Sequence, residues 1–290
     1  MSAVTTPTST TRRKPRTRGL VGRPGAFTYS VLTLVLITAA YPLWWSFVVG
    51  SGTNATRGET LPLIPGLNFL GNVARVLDAI DFWEALLNSL IISVVITVSV
   101  VTFSTLAGYA FAKLRFNGRD GLMIFVIATM AIPTQLGIIP LFMVMKQLDW
   151  TGEIISVIVP YLVTAFGVFF MRQYLVDAIP DELVEAARVD GCSMFRIFRH
   201  VAVPAARPAA AMLWLFTFMY VWTDFFWPLI VLPGDNPTVQ IALNQLQSGY
   251  YKDYALVLAG ATLATIPLLV LFIATGKQFV TGIMQGAVKG

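Results

Sequence analysis

Glu185 to Pro208 reads EAARVDGCSMFRIFRHVAVPAARP. The stretch is charged and rich in helix formers, and it is wedged between two long apolar runs. An insert with water on one side and bilayer on the other is a surface on which another molecule can dock. The rest of the chain supports that setting. Of 290 residues, 56% are hydrophobic and 12% charged, with mean hydropathy +0.73. Soluble domains carry about 25% charged residues, so lipid is the solvent over much of this surface.

A helix needs about 20 apolar residues to cross the hydrocarbon core. Six stretches qualify, near 27–49, 86–112, 121–145, 154–176, 209–232 and 255–276. This predicts an all-α integral membrane protein with six transmembrane helices. Sixteen of the 20 Lys and Arg residues fall on one side of that arrangement: in the first 25 residues, after the second and fourth spans, and at the end of the chain. The positive-inside rule then predicts that both termini and the Glu185 loop are cytoplasmic. The net charge of +5 thus marks topology and lipid headgroup contact, and no nucleic-acid partner is expected. Residues 1–25 read as a disordered basic cytoplasmic tail. Residues 26–290 form the transmembrane domain, with a cytoplasmic loop at 177–207 and a C-terminal cytoplasmic tail at 277–290. Cys192 and His200 are the only Cys and His, so no disulfide within the chain and no Cys/His metal cluster is expected.

Pro42, Pro133, Pro140, Pro160, Pro228 and Pro267 interrupt five of the spans. Each removes a backbone donor. The pattern fits simple kinks and fits equally a bundle that bends. The second span lacks proline and offers Ser104 and Gly108 for close helix contact. Asp224 reads as an acid well inside the fifth span, where an ionised carboxylate costs about 2.5–3.5 kcal/mol on insertion scales. It fits a cargo or gating contact, or a satisfied packing residue. Trp222 and Trp227 flank it and fit either stacking on a sugar or anchoring at the interface. Gln135, between two prolines, is a further candidate for the translocation path.

Within the loop, Pro180 and Asp181 suit a helix start, Glu182 its first turn and Gly191 its stop. Ala186 and Ala187 leave that helix shallow, and Glu185 beside them can pair with a basic partner. Met194, Ile197, Phe198 and Val201 form one apolar stripe, which predicts a second helix ended by Pro204, with Pro208 opening the next span. By pattern alone, that helix also suits a membrane surface.

Glu185-Ala186-Ala187, then Gly191, then Val201, Val203 and Pro204 resemble the EAA motif of binding-protein-dependent ABC importer permeases, with every spacing kept. AIPTQLGIIPLF, VWTDFFWPLIVL and GIMQGAVKG resemble signatures of the MalG-like carbohydrate branch. The fifth-span signature departs from the branch at Thr223, where Asn is commoner. The resemblance implies the type I ABC importer permease fold and a subunit that forms half of a path for carbohydrate import. It implies that Glu185, Ala186, Ala187, Asp190, Gly191, Met194, Phe195 and Pro204 couple to a cytoplasmic ATPase. Gly286, Lys289 and Gly290 would reach into the ATPase dimer. The other partners implied are a second related permease, a dimer of ATPases carrying ATP and Mg, and an extracytoplasmic sugar-binding protein. No cofactor on this chain and no enzymatic activity are expected. The chain has no G-x-x-x-x-G-K-[ST] phosphate loop. A secondary transporter would carry several ionisable residues in its spans, and here Asp224 is nearly alone.

Overall fold

A computed structural model describes residues 25–53, 63–232, 234, 236–248 and 252–287, with side chains to Gly276. The predicted tail, apart from residue 25, and Lys289 and Gly290 lie outside the described residues. The chain divides into two units, Met1–Trp44 and Trp45–Gly290. Helix α1 is Ala26–Gly50. Through its first unit it exposes large apolar side chains such as Phe27, Leu36 and Ile37, as a helix solvated by lipid does.

In the second unit α2 (Phe69–Ala79) leads into α3 (Phe82–Lys113), 32 residues without proline. A bent segment follows: α4 (Arg119–Met130), a 3-10 turn at Thr134–Gly137, and α5 (Ile138–Gln147). The fourth segment joins α6 (Ile155–Ile158) to α7 (Ala165–Ala178) through a 3-10 turn at Val159–Tyr161. Then come α8 (Asp181–Val189), α9 (Met194–Ile197), a π-turn at Phe198–Ala202, and α10 (Val203–Thr223). Short helices α11 (Phe226–Val231) and α12 (Val239–Gln245) precede α13 (Tyr254–Ala287). By length and hydropathy, five segments can cross a membrane, or six if the bent pair counts as one.

The centre of this unit is α3 packed on α7 and α10. Ile92, Ile96, Val100, Met171, Leu175 and Leu213 fill the main core. A second cluster, with Val76, Phe82, Val239 and Ala259, joins α2, α12 and α13. Gly108 sets the α3–α7 spacing: a Cβ there would lie 2.7 Å from Met171 Cβ and 2.8 Å from the Arg172 nitrogen.

The structure refines the third span and corrects the readings of the fifth. The third span bends at its break: α4 and the segment from Thr134 meet at 90°. Pro133 cannot donate to the Thr129 carbonyl, so the ladder stops at Met130. The fifth span does not run 209–232. It starts at Met194 and ends at Thr223. Pro204 does not end the loop helix, because it sits in the first turn of α10, where a missing donor costs little, and the π-turn upstream absorbs the register change. Pro208 does not open the span either; it lies inside α10. Asp224 is therefore not mid-helix. It ends α10 in extended backbone (ψ 121°), because Pro228 has no N–H for its carbonyl and the proline ring crowds it.

Gly108→Val is expected to overpack α3 against α7 and cost about 1–3 kcal/mol. A lowered thermal midpoint of the purified protein would read this. Gly137→Ala, where an added Cβ meets nothing within 4 Å, is expected to leave the midpoint unchanged.

Candidate functional site

The Glu185 loop is built from local chemistry. Pro180 (φ −59°, ψ 141°) precedes α8, and Asp181 and Glu182 occupy its first turn. Gly191 adopts φ 76°, a conformation that glycine enters without penalty. There the Gly191 and Cys192 N–H groups donate to the carbonyls of Arg188 and Ala187, each at 2.9 Å. Ser193 Oγ caps α9 by accepting from the Arg196 N–H at 3.3 Å.

One face of α8 is held. Val184 is buried with Leu175, Ile179 and Ile197. Lys113, at the end of α3, donates to Asp181 Oδ1 at 2.7 Å and to the Val176 carbonyl at 3.2 Å. Its side chain is only 4% exposed. The other face is open: Leu183, Glu185, Ala186 and Val189 are exposed, as are Asp190, Gly191, Phe195 and Pro204. Ala187 and Met194 are half-buried against the core, and Arg188 contacts Met194 Sδ at 3.4 Å. The loop thus presents apolar side chains beside two carboxylates on a firmly seated helix. An exposed apolar patch rimmed by polar groups marks an interaction surface.

A second feature lies where the segments break. A cavity of about 730 Å³ is lined by residues that include Thr129, Tyr161, Thr164, Phe166, Thr217 and Tyr220. The Tyr161 and Tyr220 rings meet edge to face, centroids 6.3 Å apart, and Asp224 follows one turn after Tyr220 at the end of α10. Asp224 Oδ1 also accepts from the Phe226 N–H at 3.2 Å. Trp222 and Trp227 are each 2% exposed and do not line this cavity. Trp222 stacks on Phe218. Trp227 Nε1 donates to the Ser156 carbonyl at 3.1 Å. Gln135 is exposed and off the cavity wall. Gly286 falls in the last turn of α13.

Sequence reasoning missed Lys113, which counted only as a topology charge, and the tyrosine pair. Tyr161 and Tyr220 are joined only by the fold, and no local spacing links them.

Residues 101–279 match the family model described as binding-protein-dependent transport system inner membrane component. The chain belongs to this family. The lactose transport system permease protein LacG of Rhizobium radiobacter is 35% identical over 92% of this chain and 97% of its own length. The arabinooligosaccharides transport system permease protein AraQ of Halalkalibacterium halodurans is 35% identical over 81% of this chain and 84% of its own. The permease fold is shared with a chain of a bacterial ABC transporter involved in alginate import, at TM-score 0.71 and 24% identity, covering 87% of this chain and 95% of that one. This permease is accordingly a multi-pass transport subunit of the inner membrane and not an enzyme.

In the permease, Lys113 holds the Asp181 carboxyl below its usual range, first by its hydrogen bond and then by its charge. A carboxylate with a depressed pKa contributes stability above its unfolded pKa and loses it as pH falls through the folded value. The tie is therefore whole at neutral pH and fails in acid, below about pH 4. Lys113→Met is expected to raise amide hydrogen exchange across 181–189 about twofold to fivefold at pH 7. The same change made on an Asp181→Asn background should add less, since only the bond to the Val176 carbonyl is then lost outright.

Proposed function

We propose that this permease forms half of the translocation path of an ATP-driven carbohydrate importer of the oligosaccharide class, worked from the cytoplasm through α8. The observation that carries the reading is the docking face. Leu183, Glu185, Ala186 and Val189 are exposed on a helix whose opposite side is locked by Val184 and Lys113. A ball seated in a partner's cleft must transmit force without tipping, and a helix pinned at its first turn and its middle meets that need.

In this reading both termini and residues 177–207 face the cytoplasm. A dimer of ATPases binds ATP and Mg and grips Glu185 and its neighbours. A second related permease completes the path, and an external binding protein delivers cargo. Closure of the ATPases draws the two docking helices together, and the permeases rock between inward-open and outward-open states. Motion of α8 and α9 enters α10 through one helical run, Met194–Thr223. The carbohydrate assignment is supported by relatives named for lactose and arabinooligosaccharides. The family also includes a permease named for sn-glycerol-3-phosphate transport, 30% identical over 89% of this chain. In the same reading Gly286, Lys289 and Gly290 contact the ATPase dimer.

Glu185→Lys tests the docking role. Receptor-stimulated ATP hydrolysis and uptake by the assembled complex are expected to fall about tenfold or more, as for loss of a buried charge pair at an interface. Membrane abundance of the permease should stay unchanged. Normal uptake by the variant would count against ATPase coupling through α8.

A further inference from the structure

Taking the permease as half of an import path, we propose that Tyr161 and Tyr220, backed by Asp224, form a cargo contact on this subunit, selective for uncharged, hydroxyl-rich cargo over anions. The contact sits where two segments lose their helix. The cavity wall includes Thr129 to Thr134 beside the α4 break and Pro160 to Phe166 beside the α7 start. Irregular backbone at membrane depth persists where it is buried in protein or lines a wet cavity. The volume of about 730 Å³ falls in the range of small-molecule sites, about 300–1,000 Å³.

The lining chemistry suits a sugar. Tyr161 and Tyr220 each present a flat apolar ring with a polar tip, which matches the apolar face and hydroxyl rim of a pyranose. Thr129, Thr134, Thr164 and Thr217 add hydroxyls to the wall. Thr129 Oγ1 already donates to the Val126 carbonyl and Thr164 Oγ1 accepts from Gly167 N–H, so each keeps spare capacity to accept or donate.

Charge then selects among polar cargoes. Among the residues that line the cavity none is Lys or Arg. The acid nearest along the chain is Asp224, one turn beyond Tyr220 at the end of α10. A phosphate or carboxylate entering here would meet a like charge in a medium that screens poorly. A neutral sugar meets none and can donate its hydroxyls to the phenol oxygens. A lipid tail would gain nothing from two phenols and four threonines, and an apolar helix of the partner permease would bury their hydroxyls at a cost.

The test uses the assembled complex in proteoliposomes. Cys192→Ser removes the free thiol, and Val163→Cys places one on the cavity wall, where Val163 is exposed. The cationic reagent MTSET is expected to label this thiol about tenfold faster than the anionic MTSES after correction for their rates with free cysteine. Asp224→Asn should bring that ratio close to that of free cysteine. No labelling by either reagent, with or without ATP, would mean that a partner helix or lipid fills the cavity and would overturn the cargo contact. Equal corrected rates in the presence of Asp224 would overturn the charge selection. Saturation-transfer NMR with millimolar methyl β-glucoside and with glucuronate reads the contact itself. The glucoside signal should drop about threefold or more in Tyr161→Ala/Tyr220→Ala, as expected for lost aromatic contact, and glucuronate should give a weaker signal than the glucoside in the unsubstituted complex. An unchanged glucoside signal would overturn the contact. Receptor-stimulated ATP hydrolysis is followed on the same preparations. Its presence alongside an unchanged glucoside signal removes the cargo contact alone, whereas its absence in the unsubstituted complex removes the importer reading and this contact with it.

Discussion

Within a bilayer no water is available to a freed backbone carbonyl, so each proline in a span requires a replacement donor from elsewhere in the protein. That requirement organises the second unit. Pro160 cannot donate to the Ser156 carbonyl, and the indole of Trp227 does so instead at 3.1 Å. The carbonyl of Leu162, left open where the helix stops, accepts from Ser99 Oγ at 2.8 Å. The Thr129 carbonyl, denied by Pro133, accepts from Ile132 N–H at 3.3 Å. Each break is thus tied to a particular neighbour, and the bends are fixed features rather than loose joints.

The donor to the Leu162 carbonyl comes from α3, which does not itself break. It carries no proline, and its buried face sets small and polar residues among the core aliphatics: Ser89, Ser93, Thr97, Ser104 and Gly108. Such a face allows backbones to approach closely, which is what drives helix association when lipid and side chain are equally apolar. Gly108 lets α7 come to within contact of its backbone. Ser89 Oγ accepts from the Val239 N–H at 2.9 Å, which fastens the start of α12. At its far end α3 supplies Lys113 to the docking helix. One straight helix therefore braces the broken segments and seats α8.

Where local chemistry decides the structure, the sequence reveals it. Pro180 and Gly191 bound α8, and the positive φ at Gly191 is the reason its identity was readable. The apolar segments were legible from length alone, since lipid demands an apolar surface whatever the packing. Their breaks were not. Pro133 and Pro208 look alike in sequence, yet one ends a helix and the other lies inside α10. No local spacing separates the two cases. Asp224 was misplaced for the same reason, because the effect of Pro228 is felt four residues earlier. Trp222 and Trp227 read equally as sugar platforms or anchors, and burial makes both of them packing residues. Lys113 carried a topology signal that concealed its ion pair, and Tyr161 meets Tyr220 only after the chain has folded back.

The run Met194–Thr223 joins the two candidate sites mechanically. Its 30 residues span about 45 Å at 1.5 Å per residue. One end follows the docking helix α8, held by the Gly191 turn and the contact between Arg188 and Met194. The other ends at Asp224, beside the tyrosines of the cavity. A helix resists stretching, so displacement at the docking end reaches the cavity end as translation or rotation and not as elastic loss. Compliance is confined to the π-turn at Phe198–Ala202, where an extra residue per turn weakens the ladder. Tyr109 packs on Phe198 there, ring centroids 5.4 Å apart, which anchors the weak turn to α3. The π-turn is thus fastened to α3, the helix on which α10 also packs. In the proposed reading, work done by a partner at Glu185 passes along this run to the residues that border the cavity.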